Sequence, residues 1–102
     1  DKIIDVKEGQ GPFTIEATIL TAPILREVTT SKREKVKVAS FTVADDTGRM
    51  SVSLWRQLAE FAKELSPSTR ILLKNIHAKR GFAEQLELSS RTTTRIEVLP
   101  DS

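Results

Sequence analysis

Few side chains in this sequence have the type and spacing to do covalent chemistry. Cysteine is absent and His77 is the only histidine. That leaves no thiolate nucleophile, no thiolate zinc site and no histidine cluster to hold a metal. Asp45 and Asp46 are adjacent carboxylates inside Asp45-Asp46-Thr47-Gly48, where they read as turn formers rather than as an acid and a base. Gly9-Gln10-Gly11 lacks the later glycine and the strand-to-helix setting of a phosphate loop, and no Gly-Lys-Ser/Thr occurs. The expectation is of a protein that is not an enzyme and holds no cofactor or metal. The remaining chemistry is non-covalent, carried by aromatic rings and cations.

The cations are unevenly spread. The chain of 102 residues carries a net charge of +2. Residues 1–25 have a net charge of −2, residues 26–56 of +3 and residues 57–102 of +1. A basic middle third suits a polyanion. Of the five aromatics, Phe13, Phe41 and Phe61 fall on apolar faces of their elements and read as core. Trp55 and Phe82 do not. Trp55 shares a strand face with Ser51 and Ser53, and Phe82 follows Lys79-Arg80-Gly81. An aromatic on a polar face is either covered by a neighbouring loop or helix end, or it is a platform on which a base can stack.

The elements that must position these groups follow from period. Phe13 to Thr21 alternates, with Phe13, Ile15, Ala17 and Ile19 on one face. Arg26 to Lys35 is polar and basic and reads as a loop or hairpin tip. Val36 to Ala44 is a second strand, the Asp45–Gly48 segment a turn with Gly48 free to take positive φ, and Arg49 to Trp55 a third strand. Leu58, Phe61, Ala62 and Leu65 then fall at helical spacing, until Ser66-Pro67-Ser68 ends the helix. Arg70 to Ala78 is a fourth strand, Lys79 to Gln85 a loop, and Leu86 to Leu99 a fifth strand, broken or bulged through Ser89 to Thr94.

Three strands, one short helix and two more strands is the order of the OB-fold, a five-stranded Greek-key barrel. The predicted architecture is therefore an all-β OB barrel with one α-helix between strands 3 and 4, against a small open α+β sheet as the competing arrangement. One such domain spans residues 1–102, with 1–12 as a lead-in, and a chain that opens on Asp1 is read as part of something longer. No apolar run approaches the ~20 residues that span a bilayer. Nothing resembles a signal peptide, so no membrane partner is expected. A cysteine-free chain fits a reducing, intracellular setting.

In an OB barrel strands 2 and 3 form the binding face, between the first-to-second and fourth-to-fifth loops. Those loops hold Lys32, Arg33 and Lys35 on one side and Lys79, Arg80 and Phe82 on the other, while Arg49 and Arg56 bracket the third strand. The expected interface is a cationic groove containing Ser51, Ser53 and Trp55, suited to a single-stranded nucleic acid.

Val43-Ala44-Asp45-Asp46-Thr47-Gly48 followed by Ser51-Val52-Ser53-Leu54-Trp55 resembles the DNA-binding OB domains of archaeal replication protein A and the related simple single-strand binding proteins of animals. Ile71 to Ala78, Leu86-Glu87-Leu88 and the lead-in Ile4 to Gly9 are similar as well. The resemblance implies sequence-tolerant binding of single-stranded DNA in replication, recombination or repair, cytoplasmic in an archaeon and nuclear in a eukaryote. It makes Trp55 a base-stacking residue and the loop around Phe82 the source of a second. The family often has tyrosine or another aromatic where this chain has His77, a weaker stacking group. That departure implies work beside sister OB domains or with replication and repair proteins. An RNA-binding OB domain and a protein-interaction module are the alternatives.

Overall fold

Alternation puts Ile15, Ala17 and Ile19 on one face of β1 (Phe13–Ile19), and the fold is the arrangement that buries that face. In the computed structural model, which describes residues 2–81 and 85–100, the partners are β3 (Lys35–Ala44), β4 (Arg49–Trp55), β5 (Arg70–Arg80) and β6 (Leu86–Ser89). β1 pairs with β3 and β5, β3 with β4, β4 with β6 in parallel, and β6 with β5. The pairings close a five-strand ring, so the apolar strands expose no edge within it. Phe41, Val43, Val52, Leu54, Ile71, Leu73 and Leu88 fill its interior. Burial of each large aliphatic side chain contributes about 1.5–3 kcal/mol, set against the conformational entropy of ordering the chain. The fold is the predicted OB barrel with its single short helix.

The lead-in is part of this core. A 3₁₀ turn (Ile3–Asp5) carries Ile3, and Val6 follows; both are buried. The turn is held by the Asp45–Gly48 loop, where Asp45 Oδ2 accepts the Ile3 N–H at 2.9 Å and Thr47 Oγ1 accepts that of Ile4 at 3.2 Å. Gly48 does not adopt the expected positive φ. Among the described residues the glycines that do are Gly9 (79°) and Gly11 (120°). Gly48 instead donates its N–H to Asp45 Oδ1 at 3.1 Å.

Three further elements depart from the sequence reading. The segment expected to be loop from Arg26 to Lys35 is strand at both ends: its first four residues belong to β2 (Ile24–Thr29), paired with β3 from Ile24↔Ser40 to Thr29↔Lys35, and Lys35 opens β3. Only residues 30–34 form the hairpin tip. Lys79 and Arg80 belong to β5 and pair with Glu87 and Leu86, so they are strand and not loop. The helix is short, α1 (Gln57–Phe61) running into a 3₁₀ turn (Ala62–Glu64). Ala59 and Ala62 are its fully buried residues, and Phe61 is 37% exposed rather than a core ring. The buried face is Ala59, Ala62 and Leu65, one residue round from the expected Leu58 and Phe61, because the small alanines let the backbone approach the barrel.

The interruption expected in the last strand is present. β6 and β7 (Arg95–Val98) run in succession antiparallel to β5, separated by a turn over residues 90–94. Opposite that turn, Asn75 sits at φ 60° as a bulge in β5. Its Nδ2 donates to Thr93 Oγ1 at 2.7 Å, and its carbonyl accepts Thr94 Oγ1 at 2.8 Å.

Candidate nucleic-acid interface

The outward face of the ring is set by register. Cross-strand partners point to the same side. The pairings Ile24↔Ser40, Ser40↔Ser53, Ser53↔Ser89 and Ser89↔His77 therefore draw one row across β2, β3, β4, β6 and β5. The next row is Arg26↔Val38 and Val38↔Trp55. Three serines in line make a low floor, and the larger side chains stand around it. His77 belongs to this face because of the Asn75 bulge. With unbroken alternation from Ile71 and Leu73 it would point into the barrel; the extra residue sends Ile76 inside and His77 out.

Trp55 is half-buried and fixed. Its indole N–H donates to Ser89 Oγ at 3.1 Å, and its backbone N–H to Ser90 Oγ at 2.8 Å. Lys79 Nζ lies over the ring, 4.9 Å from the centroid. The cover considered for Trp55 thus comes from β6 and a lysine. Ser53 is 6% exposed and Ser51 is exposed. Ser40 Oγ and His77 Nδ1 are buried without a hydrogen-bond partner among the described residues.

The β2–β3 hairpin tip and the start of β6 bracket this face from opposite ends of β4. Trp55 pairs with Val38, three residues beyond Lys35, so the tip with Lys32 and Arg33 lies at its end. Leu88 pairs with Val52, which puts Leu86 at the Arg49 end. Arg49 and Ser51 share a shallow pocket there with Gln85, Leu86 and Glu87. Lys32, Arg33 and Lys35 are exposed, and among the described residues none is ion-paired. Arg80 is bridged to Glu8 at 3.1 Å and Arg56 to Glu34 at 3.7 Å. Phe82 lies outside the described residues.

Sequence reasoning missed Arg26, which stands in the Trp55 row, and Arg91 and Arg95, in and just after the turn over residues 90–94 beyond Trp55. Arg26 becomes visible only once β2 is known to be a strand. Among the described residues no group of three His, Cys, Asp or Glu side chains is placed to hold a metal, and no helix is long and apolar enough to cross a membrane.

No protein-family model matches the chain. It is 28% identical over 100 residues to replication factor A of Methanothermobacter thermautotrophicus, a match covering 97% of this chain and 12% of that protein. The second OB-fold domain of replication protein A from Methanococcus maripaludis superposes with a TM-score of 0.82 at 25% identity, covering 100% of this chain and 96% of that one. A replication protein A heterotrimer bound to single-stranded DNA gives a TM-score of 0.80 at 20% identity, covering 97% of this chain and 24% of that one, a likeness of fold alone. The chain is an OB-fold barrel whose structural neighbours are OB domains of archaeal replication factor A and related proteins.

Proposed function

We propose that this domain binds single-stranded DNA with little sequence preference, in replication, recombination or repair, and catalyses nothing. The observation that carries the reading is Trp55 itself, pinned on an outward serine-floored face beside a hairpin tip whose Lys32 and Arg33 make no ion pair among the described residues. Stacking of a base on an aromatic is worth about 1–3 kcal/mol and tolerates any sequence. The lysine over the ring supplies about 0.5–1 kcal/mol at an exposed site, so a base displaces it. The freed Lys79 ammonium then turns to a phosphate. Lys32, Arg33, Lys35 and Arg49 supply further phosphate contacts, which position the strand without reading it. His77, Ser51 and Ser53 edge and floor the groove, whereas Arg80 alternates to the opposite face of β5 and is bridged to Glu8.

The likeness to a small part of a longer replication factor supports a domain that works in tandem with sister OB domains, where linkage raises avidity. An electrophoretic shift with oligo-dT and with oligo-U tests the reading. Oligo-dT should bind at least as tightly as oligo-U. A clear preference for oligo-U makes the domain an RNA binder, and no binding to either makes it a protein-interaction module. The salt dependence gives a second test. About 3–5 phosphate contacts give log K against log[salt] a slope of roughly −2 to −3.5, and replacing Lys32, Arg33 and Lys35 together by Ala should flatten it. A triple variant that binds like wild type at every salt concentration removes the basic tip from the interface.

A further inference from the structure

Beyond Trp55 the surface falls into a cleft of about 780 Å³ between the start of α1 and the turn over residues 90–94. Trp55 forms part of its wall, so it continues the face described above. Its charged lining is Arg56, Arg91 and Arg95, with no carboxylate among the lining residues. Arg91 and Arg95 are exposed and make no ion pair among the described residues. Arg56 has only the long contact to Glu34, 3.7 Å with both groups more than half exposed. A depression of nearly equal size, about 770 Å³, lies on the opposite flank of the barrel. There Asp5, Glu16, Asp45 and Asp46 outnumber Lys2 and Arg70. An anion is therefore drawn to one cleft and repelled by the other.

The wall of the basic cleft is also held in place. Thr94 Oγ1 accepts the Arg91 N–H and donates to the Asn75 carbonyl, each at 2.8 Å, and Ser90 N–H donates to the Ser53 carbonyl at 3.0 Å. A turn tied at these points loses little freedom when a ligand arrives. Guanidinium groups match phosphate oxygens in planar, two-point contacts.

We propose that a single strand stacked on Trp55 continues into this cleft, where Arg56, Arg91 and Arg95 hold its phosphodiester backbone. The inference rests on the proposed single-strand binding and adds a path and three contacts to it. The cleft contributes affinity that depends on strand length and carries no base preference.

The test is fluorescence anisotropy with labelled oligo-dT of increasing length, comparing wild type with Arg91→Ala/Arg95→Ala. Both side chains are exposed, so the variant should melt with wild type. The shortest oligomers that reach Trp55 should bind both proteins alike. At the full site size, roughly 4–16 nucleotides for an OB-fold, the variant should be weaker by about tenfold. Two lost phosphate contacts at about 0.7 each should also flatten its salt slope by roughly 1.4. Arg91→Lys/Arg95→Lys keeps the charge and should recover most of that slope. The proposal is overturned if the alanine variant follows wild type at every length, or if it loses equally at all lengths. If wild type binds no oligo-dT, the single-strand reading fails and takes this one with it. If wild type binds and depends on Trp55 but not on these arginines, only the cleft is wrong.

Discussion

The two ends of β4 are built on opposite terms. At its start, the turn from Asp45 to Gly48 spends its polar groups on itself and on the lead-in. Asp45 Oδ1 accepts Thr47 N–H at 2.7 Å, Thr47 Oγ1 at 2.5 Å and Gly48 N–H at 3.1 Å, while Oδ2 accepts Ile3 N–H. At its end, Trp55 and Arg56 present a ring and a cation to the surface, with the Arg56 backbone held at φ 61°, ψ −121°. One turn is saturated and folds the protein. The other is strained and leaves its side chains available. The motif that runs through β4 thus divides into a structural half and the half on which the proposed binding rests.

Breaking the saturated end should have the largest effect. Asp45→Ala leaves four donors without their acceptor and loosens the Ile3 plug, at a cost of about 2–3 kcal/mol. Chemical denaturation should show this, while the salt slope of DNA binding stays as in wild type. Asp46→Ala breaks only an exposed pair with Lys2 and should cost well under 1 kcal/mol. The pH dependence follows the same carboxylate. Burial pushes the Asp45 carboxyl up, but the hydrogen bonds from Thr47, Ile3 and Gly48 outweigh it and hold it at about 2. In the unfolded chain it titrates near ~3.9. The unfolded state takes up the proton first, so this stability is present above about pH 5 and is lost as pH falls towards 2. Asp45→Asn should lack that step. If wild type and Asp45→Asn lose stability in parallel across this window, the turn is not held by a charged acceptor.

Trp55→Ala, at the other end, should weaken single-strand binding by about 1–3 kcal/mol. The salt slope should barely move, because stacking releases no counterions, and Trp55→Phe should retain much of the affinity. Unchanged affinity in the alanine variant would end the claim that this ring is a platform.

The structural half of β4 was easier to read than its surroundings, and the reason is burial. A strand with one buried face announces itself by alternation, and Arg49–Trp55 matches its predicted bounds. β2 is outside the ring, with mixed side chains on both faces, and Ile24 is 69% exposed. Its pairing is dictated by the hairpin with β3, and no period in its own residues records it. Asn75 looks like any strand asparagine until its left-handed backbone and its bond to Thr93 are seen. That one residue decides which way His77 faces. The helix period pointed to Phe61, but two alanines let the backbone approach the barrel more closely and took its place. The cationic tip could be located because it is contiguous in sequence. Arg91 and Arg95 could not be joined to Arg56, because only the fold brings residues 90–94 back beside α1.

Arg56→Gly sharpens the comparison most, because its two readouts move in opposite directions. Arg56 has the backbone angles of the first central residue of a type II′ turn, a position where glycine is preferred. A non-glycine residue in such a region costs about 1–3 kcal/mol. Arg56→Gly removes that strain, adds roughly 0.5–1 kcal/mol of unfolded-chain entropy, and gives up the exposed pair with Glu34. The balance is a gain of about 1 kcal/mol, which thermal melting of a domain this size resolves as several degrees. The same variant loses a cation beside Trp55, so its affinity for oligo-dT should fall severalfold and its salt slope should flatten by about 0.7. A variant that is more stable and binds less well shows that the strain is retained for the side chain it presents. A variant that is more stable and binds equally well means that Arg56 is incidental and that the cations acting at this end of β4 lie elsewhere, on the hairpin tip or at Arg91 and Arg95.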